Sequence, residues 1–381
     1  MIGRKDDPAF LYFPTNYRWS MGLLICLSAA PWTGVEIDEV NRVGRALENH
    51  VGDDAAWFEE WTRMGDKIAA RGRDEEGRGH RLTAASCFMR ATRYYQTGER
   101  FIQPRSERSM AVYATSVEIF KDAAAIIRHP RIESVEVPYD GTSLPALLVH
   151  PEPSAAGSKP APCMVFFDGF DVTKELQYGY GVPDLAARGI GCLIVDGPGN
   201  GESVRFRNLP LIAETERYAT AAYEYLAGRR EFDPRRIGVM ALSLGGYYAP
   251  RATAYERRIR ACIALSGPFE WKEIWGALPV LTREAFRVRS HCTSEADALR
   301  HAATLSMKEA AAKIACPIFI VTGREDRLVP ASHAERLAKS VSGPVELLIV
   351  EDGGHNANNR PYRYRSRTAD WLAGQLGLPR I

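Results

Sequence analysis

Six short apolar runs follow residue 162: CMVFFDGF, IGCLIVDGPG, RIGVMALS, RACIALSG, CPIFIVTG and VELLIVED, each parted from the next by a stretch of helical periodicity. A strand with one wet face alternates apolar and polar residues. Most of these runs do not alternate, which is the pattern of parallel strands covered on both faces. Parallel neighbours need a crossover connection, so the helical stretches between the runs have a structural duty. The expected architecture is a doubly wound, mostly parallel α/β sheet. Two earlier runs, RIESVEVPYD and SLPALLVHP, read as an antiparallel pair turning at Asp140-Gly141, and EPSAAGSKPAP links them to the first parallel strand.

This rhythm begins only at His129-Pro130. Before it the chain reads as helix: Ile37, Val40, Val43 and Leu47 share one face, as do Trp57, Trp61, Met64 and Ile68. HRLTAASCFMRATRYYQTGERF, with Leu82, Phe88, Met89 and Tyr95 at compatible spacing, gives a third helix, and RSMAVYATSVEIFKDAAAII a fourth; DEEGRG at 74–79 separates the second from the third. No repeat period is present. The predicted division is a helical N-terminal cap domain over residues 1–128 and a catalytic α/β domain over 129–381. Within the latter, residues 266–315 hold two or three helical patterns, among them SMKEAAAKI with Glu309 and Lys313 four apart, and are long enough to form part of a lid.

The apolar stretch MGLLICLSAAPW, preceded by Arg4, Lys5 and Arg18, imitates a targeting signal. It starts late and falls well short of the ~20 residues needed to span a bilayer, so a buried helix beginning after FPTNYRWS is the expected reading. A formal charge of +2 creates no field that would draw nucleic acid or a membrane, and the expected partner is a small-molecule substrate. Seven scattered cysteines with no C-x-x-C spacing point to a reducing, cytoplasmic setting.

The chemistry-bearing stretch is ALSLGG. Where a central strand runs straight into a helix, the turning residue projects its side chain from the strand's carboxyl end, and its neighbours two positions away must be small. Gly245 meets that need behind Ser243, while Ala241 stands where the G-x-S-x-G pattern has glycine. A serine hydroxyl is a poor nucleophile near neutral pH and needs a base and an acid that orients the base. In this topology both follow in chain order on loops after later strands. IFIVTGREDRLVP places Asp326 after one strand, and VELLIVEDGGHNANN places His355 after the last. Glu325 would face the other side of its loop, and Asp352 lies too near His355 in sequence to orient it. The oxyanion donors expected are the backbone N–H of Leu244, after the nucleophile, and that of Phe170, in the DGFD loop after CMVFF.

Rival sites are weak. VDGPGNGES resembles a phosphate loop, yet its glycines do not give G-x-G-x-x-G and the next helical pattern begins near Leu211. The remaining histidines, His50, His80, His129, His150, His291, His301 and His333, form no metal-ligand spacing, so neither a metal nor a cofactor is expected. Trp19, Trp57, Trp61, Tyr94, Tyr95, Tyr113, Trp271 and Trp275 could form a planar slot, although core packing is the commoner use of such side chains. Tyr178 and Trp271 are candidate substrate contacts, and Arg283, Arg287 and Arg289 could meet an anionic substrate or form a wet helix face.

Taken together, NYRWSMGLLICL, AASCFMRATRYYQTGERF, DGFDVTKE, VDGPGNGES, SLGGYYAPRATAYERRIRACIALSGPF, TGREDRLVP and GGHNANN resemble the α/β-hydrolases with a helical N-terminal domain. That group includes 2,6-dihydroxypseudooxynicotine hydrolase, the fungal yellowish-green polyketide hydrolases and the FrsA-like esterases, and the likeness spans most of the chain. The resemblance implies a Ser-His-Asp site between the core and the N-terminal helices. It implies hydrolysis of a carbon–carbon bond next to a ketone in an acylated aromatic or β-diketone substrate, with ester or thioester hydrolysis, or a non-hydrolytic cyclisation or elimination, as alternatives. It also implies an extra acid after the strand that follows the nucleophile, for which GPFEWKEIW offers Glu270 and Glu273, Glu273 being favoured. A homodimer packed through the helical region is its last implication.

Overall fold

The computed structural model describes residues 10–32, 34–153, 155 and 160–379. Arg4 and Lys5, which flank the apolar segment at a distance, and residues 154 and 156–159 of the expected linker lie outside the described residues. The chain divides into two compact units, Met1–Ile132 with Tyr178–Gly181, and Glu133–Gln177 with Val182–Ile381.

The first unit holds helices α1 (Tyr17–Leu27), α2 (Ile37–Ala46), α3 (Asp54–Gly77), α4 (Arg81–Glu99) and α5 (Glu107–Ile126). Helix α1 starts four residues earlier than the sequence suggested, because the Asn16 side chain caps it by accepting the Trp19 N–H at 3.0 Å. Trp19, Trp57, Trp61, Tyr94, Tyr95 and Tyr113 are core. Trp19 and Trp57 lie with ring centroids 4.9 Å apart, Trp57 and Trp61 5.6 Å, and Trp61 and Tyr94 5.6 Å, all of them buried, and Trp57 Nε1 donates to Thr97 O at 2.8 Å. Two residues assigned to buried faces are exposed instead, Ile37 at 70% and Leu82 at 77%. Each sits in the first turn of its helix, ahead of the first buried positions, Val40 in α2 and Ala84 in α4.

In the second unit β1 (Ile132–Tyr139) and β2 (Thr142–Val149) are joined by Asp140 and Gly141 at φ 47° and 76°, the left-handed pair that a two-residue hairpin requires. Then come β3 (Ala161–Phe167), β4 (Gly191–Val195), β5 (Phe232–Leu242), β6 (Ala261–Leu265), β7 (Ile318–Gly323) and β8 (Val345–Val350). The sheet order is β1-β2-β4-β3-β5-β6-β7-β8. Strand β2 runs antiparallel to β4, and every pair from β4–β3 to β7–β8 is parallel, the doubly wound sheet that the apolar runs imply. Strands β3, β4, β6 and β7 are buried along their whole length, whereas β8 is an edge strand that leaves Val345 and Leu347 partly exposed.

The connecting helices are α6 (Lys174–Tyr178), α7 (Val182–Ala186), α8 (Gly201–Phe206), α9 (Thr215–Ala227), α10 (Gly245–Tyr255), α11 (Trp271–Ile274), α12 (Val280–Arg289), α13 (Glu295–Thr304), α14 (Ala331–Ser340) and α15 (Arg365–Gln375). Among the described residues no helix is long and apolar enough to cross a membrane. Residues 266–315 carry α11 to α13, and Trp271, Trp275, Phe286, Ala298 and Leu305 join one hydrophobic cluster with β3, β4 and β5 side chains. SMKEAAAKI does not form the predicted helix; only Ala311–Lys313 makes a 3-10 turn. Its short span is tethered at both ends, by Met307 N–H to Phe269 O at 2.8 Å and Gly343 N–H to Ile314 O at 2.9 Å, which draws the chain out of helix before β7.

The loops after β3 and β4 are locked together by buried charge. Lys174 Nζ lies 3.2 Å from Asp196 Oδ2, 2.6 Å from Glu202 Oε1 and 2.5 Å from Glu175 Oε1. Asp196 also accepts the backbone N–H groups of Lys174 at 2.9 Å and Glu202 at 2.8 Å. Asp168, 1% exposed, turns its carboxyl to that of Asp196. Burial pushes Asp168 well above the usual carboxylate range, and the negative Asp196 adds to the effect. Burial alone would raise Asp196 as well, but the Lys174 ammonium and the bonds from Asp168 and the two backbone N–H groups hold it below that range. The environment thus favours the neutral acid at Asp168 and the carboxylate at Asp196.

Two outcomes follow. Phe88→Ala, in the centre of α4, should lower the unfolding free energy by about 3–5 kcal/mol, while Leu82→Ser should stay within about 0.5 kcal/mol of the parent in a denaturant titration. Native Asp168 keeps a proton that the unfolded chain releases above the ordinary carboxylate range, so stability falls as pH rises from there toward its raised native pKa. Asp168→Asn has no such proton to hold. Its thermal midpoint should gain on the parent as pH rises above the ordinary carboxylate range, with a free-energy slope of at most ~1.4 kcal/mol per pH unit.

Candidate active site

Strand β5 ends at Leu242, α10 begins at Gly245, and Ser243 makes the turn between them at φ 60°. A non-glycine residue in the left-handed region is disfavoured by about 1–3 kcal/mol and persists only where its surroundings impose it. Here the Ser243 N–H is shared by Leu265 O at 2.9 Å and Asn356 Oδ1 at 3.0 Å. Space is equally tight. A Cβ on Gly245 would stand 2.7 Å from the Ala241 Cβ and 2.8 Å from Asp168 O, so the alanine at 241 is tolerated because position 245 has no side chain.

His355 opens the turn after β8, and its ring lies between two partners. Nε2 is 2.8 Å from Ser243 Oγ, and Nδ1 is 2.8 Å from Asp326 Oδ2. The other Asp326 oxygen accepts the N–H groups of Leu328 and Val329, each at 2.9 Å, which fixes the carboxylate's direction. Thus three side chains from the loops after β5, β7 and β8 form one hydrogen-bonded chain. The rival acids stand apart: Glu325 is exposed, and Asp352 pairs with Arg360 at 2.7 Å.

The DGFD loop lies against the same turn, where a Cβ on Gly169 would be 2.6 Å from Leu242 O and 3.3 Å from the Ser243 Cβ. Three nearby carbonyls, of Phe167, Gly169 and Phe170, are held by side-chain donors. Gln177 Nε2 donates to Phe167 O at 2.9 Å, Asn200 Nδ2 to Gly169 O at 3.1 Å, and the Arg289 guanidinium to Phe170 O while stacking over the Phe170 ring. The backbone N–H groups of Phe170 and Leu244, both buried, find no protein acceptor among the described residues. Buried N–H groups are seldom left so, and an unpaired pair beside a serine hydroxyl is suited to an incoming anionic oxygen.

The other candidates are placed as follows. Trp271 is buried, stacked on Phe286 at 5.9 Å and 6.3 Å from the Phe170 ring, with its Nε1 unpartnered among the described residues. Tyr178 is buried edge-on to Phe120 at 6.1 Å, within the helical unit. Glu273 is 40% exposed and bound to Arg336, whose hydrogen bond holds its carboxyl below the usual range. No hydrogen bond or ion pair joins it to Ser243, Asp326 or His355 among the described residues. Glu270 pairs with Lys308 at 2.5 Å. The arginines are engaged: Arg283 with Glu295 at 3.3 Å, Arg287 with Glu284 at 2.6 Å, Arg289 with Asp171 at 3.8 Å. His333 is a buried structural residue, its Nδ1 accepting the Phe269 N–H at 3.0 Å.

In VDGPGNGES the phosphate reading fails on structure. A short helix, α8, does follow it directly rather than near Leu211, but Asp196 already takes the N–H of Glu202 at its start. A carboxylate fills the place an anion would need. No group of three His, Cys, Asp or Glu residues suited to a metal occurs among the described residues. Sequence reasoning missed Asn356 and Asn200, whose only signal was a polar residue within GGHNANN and VDGPGNGES.

Two family models match, Esterase FrsA-like over residues 46–272 and Prolyl oligopeptidase family over residues 182–378. The 2,6-dihydropseudooxynicotine hydrolase of Paenarthrobacter nicotinovorans is 30% identical over 319 residues, 83% of each chain. The 20-hydroxy-prefusarin hydrolase FUS2 of Gibberella moniliformis is 30% identical over 256 residues, 65% of this chain and 60% of its own. The crystal structure of 2,6-dihydroxy-pseudo-oxynicotine hydrolase superposes with a TM-score of 0.80 at 28% identity, covering 92% of this chain and 95% of its own. AbyA5, at 20% identity and a TM-score of 0.72 over 93% and 94%, shares the fold. The chain belongs to the FrsA-like esterase family and is a hydrolase of the α/β-hydrolase fold.

Proposed function

We propose that this is a cofactor-independent serine-type hydrolase cleaving a carbon–carbon bond next to a ketone in an acylated aromatic or β-diketone substrate. The carrying observation is the unbroken pair of 2.8 Å contacts from Ser243 Oγ through His355 to Asp326. In this reading His355 Nε2 takes the serine proton as Oγ attacks the ketone carbon, and Asp326 stabilises the resulting imidazolium. The Phe170 and Leu244 N–H groups receive the oxyanion. Collapse breaks the carbon–carbon bond and leaves an acyl-serine. The departing carbanion, delocalised into the ring or second carbonyl, takes its proton from His355, and water activated by the same ring then releases the acid.

The choice of bond rests on the family resemblance and on the relatives' names. The extra acid implied by that resemblance is a weaker part. With Arg336 holding its carboxyl below the usual range, Glu273 is poorly suited to donate a proton. Trp271, beside the oxyanion loop, is the better-supported substrate contact; Tyr178, the other candidate, packs on Phe120 within the helical unit. Ester hydrolysis is the second reading, favoured by the match to an esterase family over residues 46–272. The unpaired cysteines support a reducing compartment, and a homodimer completes the proposal.

A fluorophosphonate probe should label the parent and not Ser243→Ala, and labelling of both, or of neither, would speak against the nucleophile. Turnover of His355→Ala should fall by at least about 10³-fold. Presented side by side, aryl β-diketones should be cleaved faster than simple aryl esters. The reverse order would make the protein an esterase, and a rearranged product formed without added water would make it a cyclase.

A further inference from the structure

The motif VDGPGNGES takes no part in the reaction as drawn, yet it reaches the reaction's most demanding element. Asn200, 2% exposed, donates from Nδ2 to Gly169 O at 3.1 Å. The Gly169–Phe170 peptide is trans, since the only cis bonds among the described residues precede Pro104 and Pro130. In a trans peptide the carbonyl and the following N–H point in opposite directions. Holding Gly169 O toward Asn200 therefore aims the Phe170 N–H away from it. Rotating that peptide plane would present a carbonyl oxygen where the oxyanion forms. Glycine at 169 makes such a rotation easy, because ψ there meets no Cβ.

The backbone that carries the donor is firmly placed. Asn200 N–H donates to Gly197 O at 3.0 Å, and Asn200 O accepts the Val204 N–H at 3.0 Å. Next to it Gly201, at φ 45°, lies so close to the buried Asp196 that a Cβ would fall 1.9 Å from its carboxyl carbon. The loop is thus anchored to the Asp168–Asp196–Lys174 group beneath both loops. We propose that Asn200 is a positioning residue of the oxyanion hole, keeping the Gly169–Phe170 peptide in the orientation that offers the Phe170 N–H to the reacting oxygen. This rests on the reading of Ser243 as nucleophile and Phe170 as donor.

Asn200→Asp preserves shape but sets a carboxylate oxygen against Gly169 O, which favours the rotated peptide. Para-nitrophenyl butyrate and an aryl β-diketone serve as substrates, and an aryl trifluoromethyl ketone, whose serine adduct carries the oxyanion, as the analogue. In Asn200→Asp, kcat and analogue affinity should both fall about 10- to 100-fold with KM nearly unchanged, while Asn200→Gln, which keeps a donor, should recover part of the loss. A merely structural role would lower the thermal midpoint without separating analogue from substrate. If Asn200→Asp does not fold, Asn200→Ala is read the same way: lost analogue affinity supports the assignment and parental affinity overturns it. Parental kcat and analogue affinity in a folded Asn200 variant, alongside an inactive Ser243→Ala, would overturn this role alone. An active Ser243→Ala would instead overturn the reading on which it rests.

Discussion

A serine in left-handed backbone, wedged between the end of β5 and the start of α10, is the constraint around which the candidate site is arranged. The conformation is unfavourable by about 1–3 kcal/mol, so it exists only because neighbours leave no other. Ala241 and Gly245 meet at the limit of contact, Gly169 presses from the side, and the Ser243 N–H is held from β6 and from the turn after β8. Each removes one way of relaxing the turn. The hydroxyl is left facing the imidazole at 2.8 Å.

Strain of this sort recurs at the same edge of the sheet. Ser266, Asn356 and Ala357 also have positive φ, at 45°, 55° and 47°, and they lie just past β6 and β8. They are tied together: Asn356 N–H donates to Ser266 Oγ at 3.1 Å while its side chain accepts from Ser243. Beneath this edge the interior is polar where it could have been oily. Ionised carboxylates are expensive to bury, and the protein limits that penalty by an environment that pushes Asp168 toward the neutral acid and by giving Asp196 an ammonium and two backbone N–H groups. The result joins the loops after β3 and β4 into one support.

Legibility in the sequence followed the range of the interactions involved. Apolar runs announced the strands because burial on both faces leaves its mark within a few residues, and the same logic placed Ser243, Asp326 and His355 just beyond strand ends. Helical periodicity was less trustworthy at segment ends. Ile37 and Leu82 kept the spacing of a buried face yet precede the first packed turn, and SMKEAAAKI had the right spacing but was too tightly tethered to wind. Asn16 set the start of α1 by capping, a signal present in the sequence but subordinate there to the hydrophobic pattern.

What the sequence by itself determined was the layered parallel sheet, the helical N-terminal region and the chain order of serine, acid and histidine, since each is written in local pattern. Only the tertiary structure decided which buried N–H groups stay unpaired, that burial beside Asp196 raises the Asp168 carboxyl, and that Asn356 and Asn200 fix backbone on loops far from them in sequence. The physical reason is distance along the chain. A hydrogen bond across 113 residues, as between Asn356 and Ser243, or a carboxyl raised by a carboxylate on a different loop, depends on neighbours that meet only when the sheet has formed.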